Sequence, residues 1–295
     1  MRQACRPKTL FLLAVVFAFA APCFIYSKED EEPVKLADGV YARIVSPDGN
    51  AVGNSGFVIL DRSVLVFDTH FTPEAGQALA EAIRSITDRP VRYIVNSHSH
   101  PDHTHGNQAF PDAQILGSTV CRREVLEDDI PSLNRMVKAT QGQIEKLQRE
   151  MKTETDAAQL QRMSKEVRQR EAYLETTSRL KIEPPVVTVD DELTIREGKR
   201  EVRILSIGTG HTDGDIVVFL TSVKIAFLGD LFFNDAIPNV QDATLLPWMK
   251  TLERILKLDA DKFVPGHGPV GTRQDVERFL KYFEELRSLV QPAVE

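Results

Sequence analysis

The chain has little cysteine. Three occur in 295 residues, and two of them, Cys5 and Cys23, lie in or beside an apolar N-terminal run. Cys121 alone falls beyond that run, which excludes an internal disulfide and leaves stability to a packed core. It reads as a small buried hydrophobe. Basic residues are also short, with 36 Lys and Arg against 43 Asp and Glu and a formal net charge of −7. Without a basic cluster, that balance argues against nucleic acid or an anionic membrane surface as a partner. Glycine and proline are missing between Gln143 and Glu183, which leaves that stretch to helices. Histidine is scarce too, at seven residues, yet three of the seven stand within six positions.

The N-terminus carries a targeting pattern. Arg2, Arg6 and Lys8 precede an apolar stretch from Leu10 to Ala21, with Ala18-Phe19-Ala20 as a small-residue cleavage site. Residues 1–26 are expected to be a signal peptide or, since apolar character continues to Tyr26, an uncleaved N-terminal anchor. Lipoprotein cleavage before Cys23 is disfavoured by Pro22. Residues 27–35 form a charged linker expected to be disordered, and residues 36–295 a single large domain.

Within that domain, strands are expected at Val40–Val45, Gly56–Leu60 and Val64–Phe67, then an amphipathic helix over Pro73–Ile86 with apolar residues at helical spacing. Ser46 to Asn50 is a turn. Residues 122–180 form a helical insertion of two amphipathic helices broken around Thr153–Asp156. Its role is open between a hairpin packed on the domain, a wall of a cleft, and a pairing arm. Strands return at Val186–Val189, Glu192–Ile195, Val202–Ile207, Asp215–Leu220 and Lys224–Leu228. Helices come next at Leu245–Leu258 and Arg273–Val290, around a short strand at Phe263-Val264. Composition and periodicity support mixed α and β.

The histidine-rich stretch is His98-Ser99-His100-Pro101-Asp102-His103. It comes after Val91–Val95, an apolar run that reads as a buried strand, and loops at strand ends commonly carry chemistry. Neutral imidazole and carboxylate are ligands that zinc and neighbouring metals accept. His98 and His100, at alternate positions, could share one ion. Asp102 and His103, beyond the turn at Pro101, would face a second. Two ions need further ligands, and three candidates stand after apolar runs in glycine-rich turns: His211, Asp230 and His267.

In this order the residues resemble the metallo-β-lactamase superfamily. The match comprises His98-x-His100-x-Asp102-His103, then His211 after Gly208-Thr209-Gly210, Gly229-Asp230 after an apolar run, and Pro265-Gly266-His267-Gly268. The resemblance implies an α+β fold, an αββα sandwich of two mixed β-sheets flanked by helices. It implies two zinc ions per chain, with iron or manganese as alternatives. His98, His100 and His211 would bind the first ion, Asp102, His103 and His267 the second, and Asp230 would bridge them. A metal-bound hydroxide, oriented by Asp102 as the catalytic residue, would attack the substrate.

The function so implied is an exported, periplasmic or secreted, binuclear zinc hydrolase cleaving an acyl C–N or C–O bond of a small molecule. A glyoxalase II-like thioesterase or a lactonase is the alternative. Several β-lactamases carry Cys where this chain has Asp230, and a Lys soon after it to hold the substrate carboxylate. Here the next residues are Leu231, Phe232, Phe233 and Asn234. The rival from another class is a non-catalytic metal-binding or partner-binding protein of the same fold. Membrane attachment is expected through the N-terminus alone, and oligomeric state is not legible. Around the site, Asp68 is expected to support the metal loop and His70 to be structural or cleft-lining. His105 should be hydrogen-bonded in its loop, and Asp213 and Asp215 should stabilise the turn of His211. Trp248 and Phe232-Phe233 are candidates for the core or the cleft wall.

Overall fold

Strand pairing follows chain order in the first half of the molecule. The computed structural model describes residues 32–46 and 49–294. The N-terminal targeting segment, linker residues 27–31, and Pro47 and Asp48 of the expected turn lie outside the described residues. The first sheet contains Val34–Ala37 (β1), Val40–Arg43 (β2), Ser55–Ile59 (β3), Val64–Phe67 (β4), Val91–Val95 (β5), Gln114–Gly117 (β6) and Val187–Thr188 (β7), neighbours in that order. Pairing is antiparallel as far as β4 and parallel from β4 to β7. The second sheet contains Glu192–Glu197 (β8), Arg200–Leu205 (β9), Val217–Leu220 (β10), Ile225–Phe233 (β11) and Lys262–His267 (β12). There only β11 and β12 run parallel.

Side chains alternate across a strand, so each sheet has two apolar faces to bury. Leu65, Phe67 and Val95 point inward and meet Val218, Leu220, Ile225 and Phe227 of the other sheet. Their neighbours along the same strands point outward. Val64, Val66 and Ile94 pack under Leu79, Ala80 and Ile83 of helix Pro73–Ile86 (α1). Val217, Phe219, Ala226 and Leu228 pack under Trp248 and Leu252 of Leu245–Ile255 (α6) and Phe279 and Phe283 of Arg273–Val294 (α7). Helix, sheet, sheet and helix thus form four layers, the α+β sandwich that was expected.

Helix α1 begins cleanly because Thr72 accepts a hydrogen bond from Ala75 N at 3.1 Å and Pro73 occupies its first turn. Between it and α6 lie Pro101–Thr104 (α2), Thr119–Glu124 (α3), Ile130–Met151 (α4) and Ala157–Ser178 (α5). A π-helical turn over Val125–Asp129 joins α3 to α4. Pro131 cannot donate to the ladder, and the ladder widens just before it. Helices α4 and α5 pack as a hairpin broken at residues 152–156, where Asp156 caps α5 by accepting from Gln159 N at 2.7 Å.

Several expectations shift. The linker does not run to residue 35, because Val34 and Lys35 already pair with β2. Strand β5 is buried only at Ile94 and Val95, while Arg92 is exposed. The turn expected at Pro101 is the single helical turn α2, and a proline is favoured at its start because its missing N–H would have no helical partner. Asp230 does not end its strand but lies within β11, where Gly229 takes φ +54 and the register with β12 shifts.

One close approach sets α1 on the loop that follows the histidine-rich stretch. A Cβ on Gly106 would fall 1.8 Å from the Thr69 carbonyl oxygen, and one on Gly76 of α1 would fall 2.7 Å from Gly106 Cα. Gly106→Ala must therefore displace backbone, and should lower stability by about 1–3 kcal/mol, read as a shift in urea midpoint at unchanged slope.

Candidate metal centre

The candidate ligands arrive from separate elements at one edge of the sandwich. His98 lies just beyond β5, His100 precedes α2, and Asp102 and His103 ride on that turn. His211 comes from the loop between β9 and β10, Asp230 from within β11, and His267 ends β12. Carboxyl ends of parallel strands are where open sheets present ligands. The structure brings all seven together in two groups. His98, His100, His211 and Asp230 each offer a ligand atom, all within 4.8 Å of one another, and Asp102, His103 and His267 do the same. Asp230 stands between the groups: Oδ2 is 3.2 Å from His211 Nε2 and 3.4 Å from His267 Nε2, and Oδ1 is 3.1 Å from His103 Nε2. Asp102 Oδ2 is 3.2 Å from His267 Nε2.

Hydrogen bonds on the far side of each ring decide which nitrogen is bare. His103 Nδ1 meets Asp68 Oδ2 at 2.9 Å, so its proton belongs there and Nε2 turns to the centre. Ser97 Oγ gives its one proton to Asp68 Oδ2 at 2.8 Å, so it must accept from His98 Nδ1 at 2.9 Å, which leaves His98 Nε2 bare. His211 Nδ1 donates to the Asn239 carbonyl at 3.1 Å. His100 is held the other way round, with Nε2 on Asp242 Oδ2 at 3.0 Å and Nδ1 turned inward. Outer partners of this kind orient metal-bound imidazoles.

Buried polar atoms normally find partners. Here His98 Nε2 is buried without a hydrogen bond among the described residues, and His103 Nε2 and Asp230 Oδ1, though 3.1 Å apart, are not aligned as a hydrogen bond and have no other hydrogen-bond partner there. His100 Nδ1 and His211 Nε2 face each other at 2.9 Å, although each ring already has a proton acceptor on its other side. Two bare nitrogens in contact, beside an orphaned third, fit a shared cation. The donor set, imidazole with carboxylate, suits zinc and other first-row metals.

A glycine keeps the bridging position open. Asn54 Nδ2 donates to the carbonyls of Pro265 and Gly268, at 3.0 and 2.9 Å, and pins the turn that presents His267. A Cβ on Gly266 would stand 1.8 Å from Asp230 Oδ1. Gly266→Ala should therefore abolish metal retention, measured by elemental analysis after gel filtration, even where the fold survives.

Electrostatics divides the rings. Burial pushes His98 well below the usual imidazole range, and it pushes His211 down to about 4, so both are neutral. Burial also opposes charge on His103, but Asp102, Asp230 and Asp68 together raise it well above the usual range. His267 is likewise opposed by burial and raised, chiefly by Asp230, to about 9. Asp102 and Asp230 stay well below the carboxylate range despite burial, because His103 lies beside both. Without metal, His103 and His267 are thus protonated at neutral pH. Their pKa values lie above the unfolded value, so their contribution to metal-free stability is full below about pH 6.5 and is lost as pH rises through the folded values. A metal must displace these protons. Zinc titration at pH 7 in buffers of different ionisation enthalpy should show release of about two protons per chain.

The remaining residues singled out by sequence divide between support and core. Asp68 is buried and accepts from Ser97 N at 2.7 Å as well as from Ser97 Oγ and His103. His70 is structural, held by Ser55 Oγ at 3.1 Å and the Gly53 carbonyl at 2.8 Å, and burial lowers it to about 3. His105 reaches outside its loop to Asp129 Oδ2 at 3.1 Å. Asp215 accepts from Thr212 N and Oγ1 and supports the turn of His211, whereas Asp213 has no such bond among the described residues. Trp248 is buried, donates to the Leu231 carbonyl and lies 5.5 Å from the His211 ring. Phe233 stacks on His267 at 5.0 Å. Sequence reasoning missed Ser97, Asn239 and Asp242. Ser97 could have been noticed as the hydroxyl beside His98, but nothing local marks the other two.

Comparison with known proteins places the fold. The model of the metallo-beta-lactamase superfamily matches residues 48–267. A linear primary-alkylsulfatase from Pseudomonas sp. (strain ATCC 19151) is 24% identical over 230 residues, 74% of this chain and 42% of that protein. A metallo-beta-lactamase type 2 from Bacillus cereus is 32% identical over 96 residues, 31% of this chain and 38% of that one. The chain thus spans about two-fifths of the length of the curated relatives it matches. A solved metallo-beta-lactamase from Pontibacter korlensis superposes with TM-score 0.64 at 19% identity, covering 86% of this chain and 99% of that one, a likeness of fold. With the family pattern running through most of its length and the His and Asp groups where that fold presents them, the chain belongs to the metallo-β-lactamase superfamily.

Proposed function

We propose that the chain is an exported binuclear zinc-dependent hydrolase that cleaves an acyl C–N or C–O bond of a small molecule. The observation that carries this reading is the convergence of seven ligand-type side chains with buried, unpartnered atoms at their centre. His98, His100 and His211 would hold one ion, and Asp102, His103 and His267 the other, with Asp230 shared. When bound, such a pair supplies an activated water at neutral pH and a positive field for the developing oxyanion.

The chain's own part is orientation and proton handling. Asp102 Oδ2 is occupied by His267, at 3.2 Å, and lies 3.4 Å from His103 Nε2. Its Oδ1 would hold the attacking water and accept its proton. Asp102 suits that task because it is more exposed than Asp230, which is buried at the bridging position. Cys121 offers no competing nucleophile, since it is fully buried and burial pushes its thiol pKa up.

The residues after Asp230 favour an ester, thioester or lactone over a β-lactam. Leu231, Phe232 and Phe233 are buried in the outer core of the second sheet, so no cation stands there to hold a substrate carboxylate. Iron or manganese would be accepted by the same donors.

The test joins metal content to turnover. Residues 28–295 are purified, analysed for metal, and assayed with nitrocefin, a simple lactone and a thioester, beside Asp102→Ala. About two metals per chain and one substrate turned over are expected, with a loss of roughly 10²–10⁴-fold in the variant. No bound metal after reconstitution would overturn the site. Two metals with no turnover of any acyl substrate would favour a non-catalytic binding protein.

A further inference from the structure

Beyond β11 the chain turns at Asp235, whose φ of +52 is a left-handed conformation that a short polar residue tolerates. After that turn Ala236, Ile237 and Pro238 line a cavity of about 290 Å³ together with Phe279 and Tyr282 of α7. Phe233, the last residue of β11, lines it as well. The Phe233 ring also stacks on that of His267, with centroids 5.0 Å apart and planes within 10°. The cavity and the second metal group thus share a wall. The same loop, a few residues on, holds His211 of the first group through the Asn239 carbonyl.

The polar groups of the lining are engaged with one another. Arg278 Nη1 donates to Asp275 Oδ1 at 2.7 Å, and Nη2 donates to Asn234 Oδ1 at 3.1 Å and lies 3.4 Å from Asp235 Oδ1. Asp275 Oδ2 accepts from Thr272 N and Oγ1, and Asn234 Nδ2 donates to the Pro269 carbonyl at 2.9 Å. The cation is therefore matched by two carboxylates, which an anionic ligand would also meet. What is left to a ligand is apolar surface, graded in exposure. Phe233 and Phe279 are 5% and 6% exposed, Tyr282 is 43% exposed and Ile237 is 90% exposed. A chain that enters past Phe233 and ends against Ile237 removes that bare side chain from water.

We infer that this cavity takes the acyl chain of the substrate, and that the chain is uncharged, apolar and of medium length; the inference rests on the hydrolase reading. The occupant is a small-molecule group by size. A cavity of about 150 Å³ is enough for benzene, so this one admits a chain of several carbons and is too small for a helix of another protein. A chain fits better than a compact ring, because the lining runs from the buried wall shared with His267 out to the exposed loop. The ester, thioester or lactone group would remain at the metal edge, with Phe233 the first contact of the chain.

The p-nitrophenyl esters of acetate, butyrate and hexanoate test this with zinc-loaded protein. Each step adds two methylenes, and kcat/KM should rise on the order of tenfold per step. The gain should lie in KM, since the chain is held alike before and during reaction. Two substitutions at exposed positions of the lining should flatten the series: Ala236→Trp fills the cavity, and Ile237→Asp sets a charge at its mouth. Calorimetry with 2-octanone against 2-butanone gives a readout free of turnover, because neither ketone has a bond to hydrolyse. The longer ketone should bind more tightly, with a negative heat-capacity change, in zinc-loaded and metal-free protein alike, and both variants should lose the preference. Esters turned over without regard to chain length would overturn the inference and leave the hydrolase reading intact. Preference for 2-octanone with no ester turned over would keep the apolar site and remove the hydrolase reading. A chain-length series that survives both substitutions would place the chain elsewhere, and a later elution of Ile237→Asp in gel filtration beside it would assign the loop to contact with a second copy; either result overturns the inference.

Discussion

One buried carboxylate governs the centre. Asp68 sits just past β4 with φ +56, a left-handed conformation that a non-glycine residue adopts only where its surroundings hold it. Its oxygens accept from Ser97 N, Ser97 Oγ and His103 Nδ1. The contact to His103 fixes a ring of the second group directly. The contact to Ser97 fixes His98, a ring of the first group, through one hydroxyl. Burial raises the Asp68 pKa, against the opposing pull of His103 and Ser97. The strain and the desolvation are both local, and they set two tautomers that an unconstrained imidazole would leave free.

The layers around this residue make that control possible. Strand β4 carries Leu65 and Phe67 into the inter-sheet core and Val64 and Val66 under α1, so Asp68 emerges from a strand clamped on both faces. Strand β5 runs parallel to it and delivers Ser97 and His98 at the same level. In the other sheet β11 and β12 are parallel as well, and bring Asp230 and His267 to the same edge. Two parallel pairs meeting across an apolar core align the ends of four strands.

The parts of this that the sequence discloses are those with short-range signatures. Helix α1 is legible from Thr72-Pro73 and its apolar spacing. The break between α4 and α5 is legible from Thr153 to Asp156. The seven converging residues are conspicuous because His and Asp of that spacing, after apolar runs, have few other reasons to occur. Interactions over long distances in sequence leave no such mark. Asp242 meets His100 across 142 positions, and Asn239 supports His211 through a carbonyl that every residue possesses. A Gly-Asp pair looks like a turn, and so Gly229-Asp230 misplaces the end of its strand. In the structure Gly229 accommodates a register shift and the strand continues through the apolar Leu231–Phe233. Strand β1 has no local signal either, because Val34–Ala37 gains its identity only by pairing with β2.

The hairpin of α4 and α5 buries little. Ile144, Met163 and Val167 are its buried side chains, and none belongs to the clusters that hold the four layers together. Cooperative units with few buried contacts open at lower free energy than the core. The hairpin is thus a unit able to open without disturbing β4 and β11. The base of the hairpin, Asp128 and Asp129, is also a wall of a cavity beside His100. An opening of the hairpin would therefore draw two carboxylates away from the edge where His100 stands.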